Sequence, residues 1–180
     1  MRIIFALSAI FLVSGCTAVV PAPAQPSPQA PAPTPAPAST SPSSQQPEGG
    51  DWTGWPLANG DWTYKVDNRG SIASFGPRNM QASFTIRCDK SRNQLILSRA
   101  GAPVNSGALM TLSASSGQQS YPVQNTGGQS NYAAISLPAT DYMMDRIIFS
   151  RGRFGVETTG LLPLAIPIWP EFTRVVEDCR

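Results

Sequence analysis

The stretch DWTYKV at residues 61–66 alternates apolar and polar side chains and decides the fold class. Successive side chains of an extended chain point to opposite faces, so Trp62, Tyr64 and Val66 fall on one side. This period of two predicts a half-buried β-strand. A tight turn is predicted at residues 67–70, because Asp, Asn and Gly favour turn conformations.

The chain beyond this turn predicts further short strands, rich in branched and aromatic residues and separated by Gly, Ser and Asn. In one of them, the consecutive apolar residues 95–97 predict burial on both faces. Parallel strands need long crossovers and the connections here are short, so an antiparallel sheet is expected. The fold class predicted is mainly β, a compact antiparallel β-sandwich or barrel-like domain. The further predicted strands are residues 71–75, 82–88, 94–99, 108–114, 119–124, 131–137, 153–158 and 161–166.

Two segments depart from strand periodicity and predict helices. Thr140 is expected to cap a short internal helix over residues 141–149. Pro170 suits the first turn of a second helix, where its missing N–H costs nothing. Residues at i, i+3, i+4 and i+7 give this second helix an apolar face: Phe172, Val175, Val176 and Cys179.

The first residues of the chain predict a secretory signal over residues 1–15. A positive charge at Arg2 precedes an apolar run and then small residues. The run is about eleven residues, whereas a membrane-spanning helix needs roughly 20. Val13-Ser14-Gly15-Cys16 resembles the lipobox of bacterial lipoproteins.

The lipobox resemblance implies that Cys16 is acylated and that the chain is cut just before it. Two or more acyl chains hold a protein stably at a bilayer, so the membrane is an expected partner. Thr17 stands where an Asp would retain such a protein at the inner membrane. The resemblance therefore implies a lipid-anchored protein of the cell envelope, at the outer membrane and facing the periplasm.

Composition divides the remainder into a linker and a domain. Residues 16–50 are nearly all Pro, Ala, Ser, Gln and Thr, with one charged residue, Glu48. Such a stretch cannot bury enough apolar surface to offset the entropy of ordering, so a disordered linker is predicted. Residues 51–180 carry aromatic and branched side chains throughout, which predicts a single β-rich domain.

The chain has three cysteines, and lipid would occupy Cys16. Cys88 and Cys179 both fall on faces assigned to the core. Because an exported protein meets an oxidising environment, a disulfide is predicted to tie the second helix to a strand. The alternative is a redox-active pair, although no Cys-x-x-Cys spacing is present to activate a thiol.

Missing residue types exclude several classes of chemistry. The sequence has no histidine, which rules out Ser-His-Asp and Cys-His catalysis and histidine metal sites. Gly-x-Ser-x-Gly, Ser-x-x-Lys and phosphate-binding loop motifs are also absent. No cofactor is therefore expected, and a net charge of +2 does not indicate nucleic-acid binding.

The acidic residues offer a weak catalytic hypothesis. Asp141 and Asp145 are spaced to form a carboxylate pair on the predicted internal helix, but Asp141 also suits the N-terminus of that helix. Glu171, Glu177 and Asp178 are interpreted as a solvated helix face.

The basic residues offer a binding hypothesis. Arg151 and Arg153 suit an anion or a partner, since guanidinium groups bind carboxylates and phosphates bidentately. Ion pairs with Asp141, Asp145 or the acids of the second helix are the alternative.

The segments 150–154, 169–171 and 176–180 resemble the tail of small envelope lipoproteins of Gram-negative bacteria, a resemblance that implies no activity. The leading hypothesis is a non-enzymatic binding or scaffolding domain whose partner is another envelope protein or the cell wall. An envelope inhibitor of a foreign hydrolase such as lysozyme is one alternative, although the Ser-Gly-x-x-Tyr signature of lysozyme-inhibitor lipoproteins is absent. A hydrolase that uses carboxylates alone, as glycosidases do, is the other.

Overall fold

The computed structural model describes residues 51–102, 106–125 and 131–180, and in them shows a mainly β fold with two helices. The predicted signal, the predicted lipidation at Cys16 and the predicted linker lie outside the described residues. The strands are, in chain order, β1 (Asp61–Asp67), β2 (Gly70–Gly76), β3 (Phe84–Asp89), β4 (Gln94–Ala100), β5 (Leu109–Ala114), β6 (Gly117–Pro122), β7 (Gln124–Asn125), β8 (Tyr132–Pro138), β9 (Arg153–Thr158) and β10 (Leu164–Pro167). The α-helices are α1 (Tyr142–Ile148) and α2 (Pro170–Asp178), and a 3-10 turn covers Trp52–Gly54.

The strands form two antiparallel sheets in a sandwich-like arrangement, which confirms the predicted fold class and favours the sandwich over a barrel. The first sheet has the order β1-β2-β3-β4-β8-β7, and the second has the order β10-β9-β5-β6. All pairs within these sheets are antiparallel. A parallel bridge joins Leu57 to Ala165, which sets the chain before β1 against β10.

Aromatic rings fill the core between the sheets. Neighbouring ring centroids lie 5.3 to 6.3 Å apart in tilted or edge-on arrangements, the geometry that aromatic quadrupoles favour. The indole N–H of Trp62, in the first sheet, donates to the carbonyl oxygen of Pro167, in the second, at 2.8 Å. The cluster consists of Trp62, Phe75, Phe84, Phe154 and Phe172.

Helix α2 is part of this core, as its apolar periodicity predicts. Pro170 occupies the first turn, and Phe172, Val175 and Val176 are fully buried. A disulfide joins Cys179, at the end of the helix, to Cys88 of β3, with their Cα atoms 5.4 Å apart. The predicted bridge between a strand and the second helix is confirmed.

Four local predictions are wrong in detail. The single strand predicted over residues 119–124 is divided between β6 and β7, because the chain passes from the second sheet to the first at Val123. Helix α1 begins one residue later than expected, so its N-cap is Asp141 and not Thr140. Val66 is 67% exposed, because β1 is an edge strand and α2 ends beside Tyr64. Ile96 is half-buried rather than buried.

Within the described residues, no helix is both long enough and apolar enough to cross a membrane.

Candidate functional site

Arg151 and Arg153 lie where α1 gives way to β9, and both line one cavity. The cavity has a volume of about 350 Å³, within the range of small-ligand sites. We call it the arginine cavity; its lining consists of Trp52, Thr53, Ser115, Arg151 and Arg153.

The loop that carries the arginines is held by two serines. The buried Ser150 hydroxyl donates to the carbonyl oxygen of Arg153 and accepts from the backbone N–H of Ser115 at 3.1 Å. In return, the Ser115 hydroxyl accepts from the backbone N–H of Arg151 at 3.3 Å. Gly152 has a φ of +76°, a conformation that favours glycine and turns the chain between the arginines. These bonds join the loop to the turn between β5 and β6.

The two guanidinium groups differ in exposure. Arg153 is half-buried, and its Nη1 donates to the carbonyl oxygen of the buried Trp55 at 3.0 Å. Arg151 is exposed, and its side chain forms no hydrogen bond to a described residue. Arg153 is therefore held by a hydrogen bond within the protein, whereas the guanidinium donors of Arg151 are all open to a ligand.

The 3-10 turn contributes Trp52 and Thr53 to the same cavity. Asp51 caps this turn, accepting from the Thr53 hydroxyl at 2.7 Å and from the Thr53 N–H at 3.1 Å. The Thr53 hydroxyl bond, followed by the backbone bond, lowers the pKa of Asp51. Trp52 packs on Gly155 of β9, where an added Cβ would lie 3.3 Å from both Cβ and Cε3 of Trp52.

The alternative interpretation, in which the two arginines pair with acids of the helices, is wrong. Asp145 and Glu177 instead contact Arg180, at 2.6 and 3.4 Å. Among the described residues, the four ion pairs include neither Arg151 nor Arg153. The physical reason is that Arg180, at the end of α2, reaches the acids of both helices.

Asp141 and Asp178 have structural partners as well. Glu171, interpreted as solvated, is instead half-buried, and its Oε2 is buried with no hydrogen-bond partner among the described residues. Asp141 accepts from the N–H of Met143 at 2.8 Å and from the hydroxyl of Tyr121 at 2.9 Å, so it serves the helix N-terminus. Desolvation, followed by the hydrogen bond to Asp141, raises the pKa of Tyr121. Asp178 accepts from the Tyr64 hydroxyl at 2.6 Å and is half-buried, which corrects its interpretation as a solvated residue.

Two other concave surfaces are present in the described part of the chain. An open groove of about 570 Å³ runs along α2, and its apolar lining includes Ile148, Ile168 and Trp169. Phe149, the residue after Ile148 in sequence, is 81% exposed. A cavity of about 490 Å³ near the start of β1 contains Asp61 and Arg78, which pair with each other at 2.9 Å.

No match to this chain is found among protein-family models, curated proteins or solved structures. In the described ranges, no three His, Cys, Asp or Glu side chains are grouped as a metal site would require.

Sequence reasoning identified the two arginines but missed the other walls of their cavity. Ser115 comes from a turn 36 positions away from Arg151, and Trp52 precedes the first strand. The spacing Asp51-Trp52-Thr53 does carry a signal, since Asp followed two residues later by Thr suits a capped turn. Nothing in that signal indicates which sheet the turn contacts.

Proposed function

We propose that this protein is a lipid-anchored protein of the bacterial cell envelope that acts by binding a ligand or partner rather than by catalysis. The observation that carries the proposal is the disulfide between Cys88 and Cys179. Disulfides persist in oxidising compartments outside the cytosol. Of the three cysteines in the sequence, this bond leaves Cys16, in its lipobox-like segment, to receive lipid.

Binding is supported by two concave surfaces, each lined in part by residues of the segment 148–153. Ile148 lines the apolar groove along α2, and Arg151 and Arg153 line the arginine cavity. An exposed apolar surface beside unpaired cationic groups is typical of a recognition site. The acids considered for catalysis, Asp141 and Asp145, instead hold Tyr121 and Arg180.

Metabolic labelling with a palmitate analogue tests the anchor. We expect label on the parent protein and none on Cys16→Ser. The matched control is the Cys88→Ser/Cys179→Ser double variant, which should keep the label because lipid attachment does not involve those thiols. Label that persists on Cys16→Ser would contradict the anchor.

Photo-crosslinking in intact cells tests binding at the groove. A crosslinking residue at Phe149 should capture a discrete adduct. The control position is Val66, which is also apolar and is 67% exposed on the edge strand β1. Equal adducts from both positions, or none from Phe149, would contradict a binding surface at residues 148–153.

A further inference from the structure

The arginine cavity is rich in hydrogen-bond donors. Its five lining residues include two guanidinium groups and no carboxylate. The Ser115 hydroxyl accepts from Arg151 N–H, and its own hydrogen has no acceptor among the described residues. Arg153 uses one N–H on Trp55 and keeps its other donors. The residues that carry these donors therefore line one concave space.

The Arg153 guanidinium and the backbone of Arg151 are held in place by the protein's own hydrogen bonds. The bond from Arg153 to the Trp55 carbonyl fixes one guanidinium, and the Ser150 bonds fix the loop on which Arg151 stands. The positively charged guanidinium groups of Arg151 and Arg153 repel each other, and a bound anion offsets that repulsion. Preorganisation of this kind strengthens binding, because less side-chain entropy is lost when the ligand arrives.

Trp52 adds an apolar surface to the same space. It is half-buried, packs against Gly155, and lines the same cavity as the two arginines. A ligand that fits both walls carries an anionic group for the guanidinium groups and a flat body for the indole. Arg–carboxylate and Arg–phosphate contacts are frequently bidentate, which gives orientation as well as affinity.

We propose that the arginine cavity binds an organic oxyanion, in which a carboxylate or phosphate contacts Arg151 and Arg153 while the attached body lies against Trp52. This inference rests on the proposed binding function but does not depend on the anchor at Cys16. A failed lipidation assay and a failed binding assay are therefore distinguishable.

Calorimetric titration of the full chain in detergent, at low salt, tests the site with probes that share one ring. D-glucuronate carries a carboxylate, glucose 6-phosphate carries a phosphate, and glucose carries no charge. We expect at least one charged sugar to bind roughly 10-fold or more tightly than glucose, as a charge-assisted hydrogen bond allows. The stronger of the two charged probes identifies the source of the oxyanion.

Three variants locate the binding. Arg151→Gln and Arg153→Gln should each weaken the charged probe by roughly 10-fold or more. Arg69→Gln, which changes an exposed arginine in the turn between β1 and β2, should leave binding unchanged. Trp52→Leu should weaken the charged sugar more than it weakens inorganic phosphate, because only the sugar has a body to contact the indole.

Several results would overturn the site. Glucose that binds as tightly as the charged sugars would show that charge is not recognised. Equal losses in Arg69→Gln and Arg151→Gln would indicate diffuse attraction to a basic surface. Unchanged binding in both cavity variants, or no saturable binding of either charged sugar, would also refute the proposal.

Discussion

Trp52 lies against Gly155 of β9, close enough that a Cβ on the glycine would meet Cβ and Cε3 of Trp52 at 3.3 Å. The glycine has no positive φ that would require it. Its role is therefore steric: it lets the turn before β1 approach the second sheet. This contact places one wall of the arginine cavity.

Gly155→Val should destabilise the protein, although valine is the better strand former. The larger side chain displaces Trp52, and overpacking of this kind typically costs about 1 to 3 kcal/mol. Urea unfolding measures the loss. The penalty should shrink in part in a Trp52→Ala background, which removes Cε3 but leaves the Cβ atoms of residue 52 and of Ser113, each also 3.3 Å from the added Cβ. Equal penalties in both backgrounds would show that the indole ring of Trp52 is not the group that the valine displaces.

Reduction or mutation of the disulfide should lower stability by a common amount. Cys88 and Cys179 are 91 positions apart, and the chain-entropy model gives about 4 to 5 kcal/mol for a loop of that length. Cys88→Ala, Cys179→Ala and the double variant should unfold at similar urea concentrations, since each breaks the same bond. Two reactive thiols in the oxidised Cys16→Ser chain, or a double variant as stable as the parent, would contradict the bridge.

The sequence predicts most of the strands because their composition and periodicity are local properties of the chain. The DWTYKV strand and the apolar periodicity of α2 need no knowledge of the rest of the fold. Exposure of Val66 was missed because local alternation does not reveal where a covering helix ends. The predicted N-cap of α1 is one residue too early, because Thr140 and Asp141 both suit that position.

The site was harder to predict because its walls come from distant segments. Arg151 and Arg153 stand out in sequence, whereas Ser115 and Trp52 join them only through the pairing of β5 with β9 and the packing on Gly155. The incorrect ion pairs have the same origin. Asp145 is a plausible partner for Arg151 or Arg153 in sequence, but in the fold Arg180, just beyond α2, pairs with it instead.

The hydrogen bond from Tyr64 to Asp178 should make stability depend on acid pH. This bond is the largest cause of the lowered pKa of Asp178, whose ordinary value is 3.8. A lowered folded-state pKa contributes stability above the unfolded value, and this contribution is lost as the pH falls through the folded value. The urea midpoint of the parent should therefore fall below about pH 4 more steeply than that of Tyr64→Phe.

Tyr142→Phe is the matched control for this pH dependence. Tyr142 also has an arginine over its ring, Arg146 at 4.9 Å, as Tyr64 has Arg174 at 4.2 Å. The hydroxyl of Tyr142, however, donates to the amide oxygen of Gln119, which does not titrate. Tyr142→Phe should keep the acid slope of the parent. Parallel slopes for all three proteins would show that the bond to Asp178 does not set the dependence.

Phe172 should be the most costly side chain to remove from α2, because its ring contacts two strands that are distant from each other in sequence. Its ring lies 5.9 Å from that of Trp62 in β1 and 5.3 Å from that of Phe154 in β9, so one helical residue touches both sheets. The ring is fully buried, and its loss would leave a cavity that the disulfide at Cys179 prevents the helix from closing. We expect Phe172→Ala to cost about 3 to 5 kcal/mol, a large part of the roughly 5 to 15 kcal/mol of stability that a typical domain has.

Phe149→Ala removes the same side chain from a position that is 81% exposed and should change the free energy of unfolding by about 0.5 kcal/mol or less. Urea unfolding of the two variants beside the parent separates burial from composition, and equal losses would mean that α2 is not anchored through Phe172.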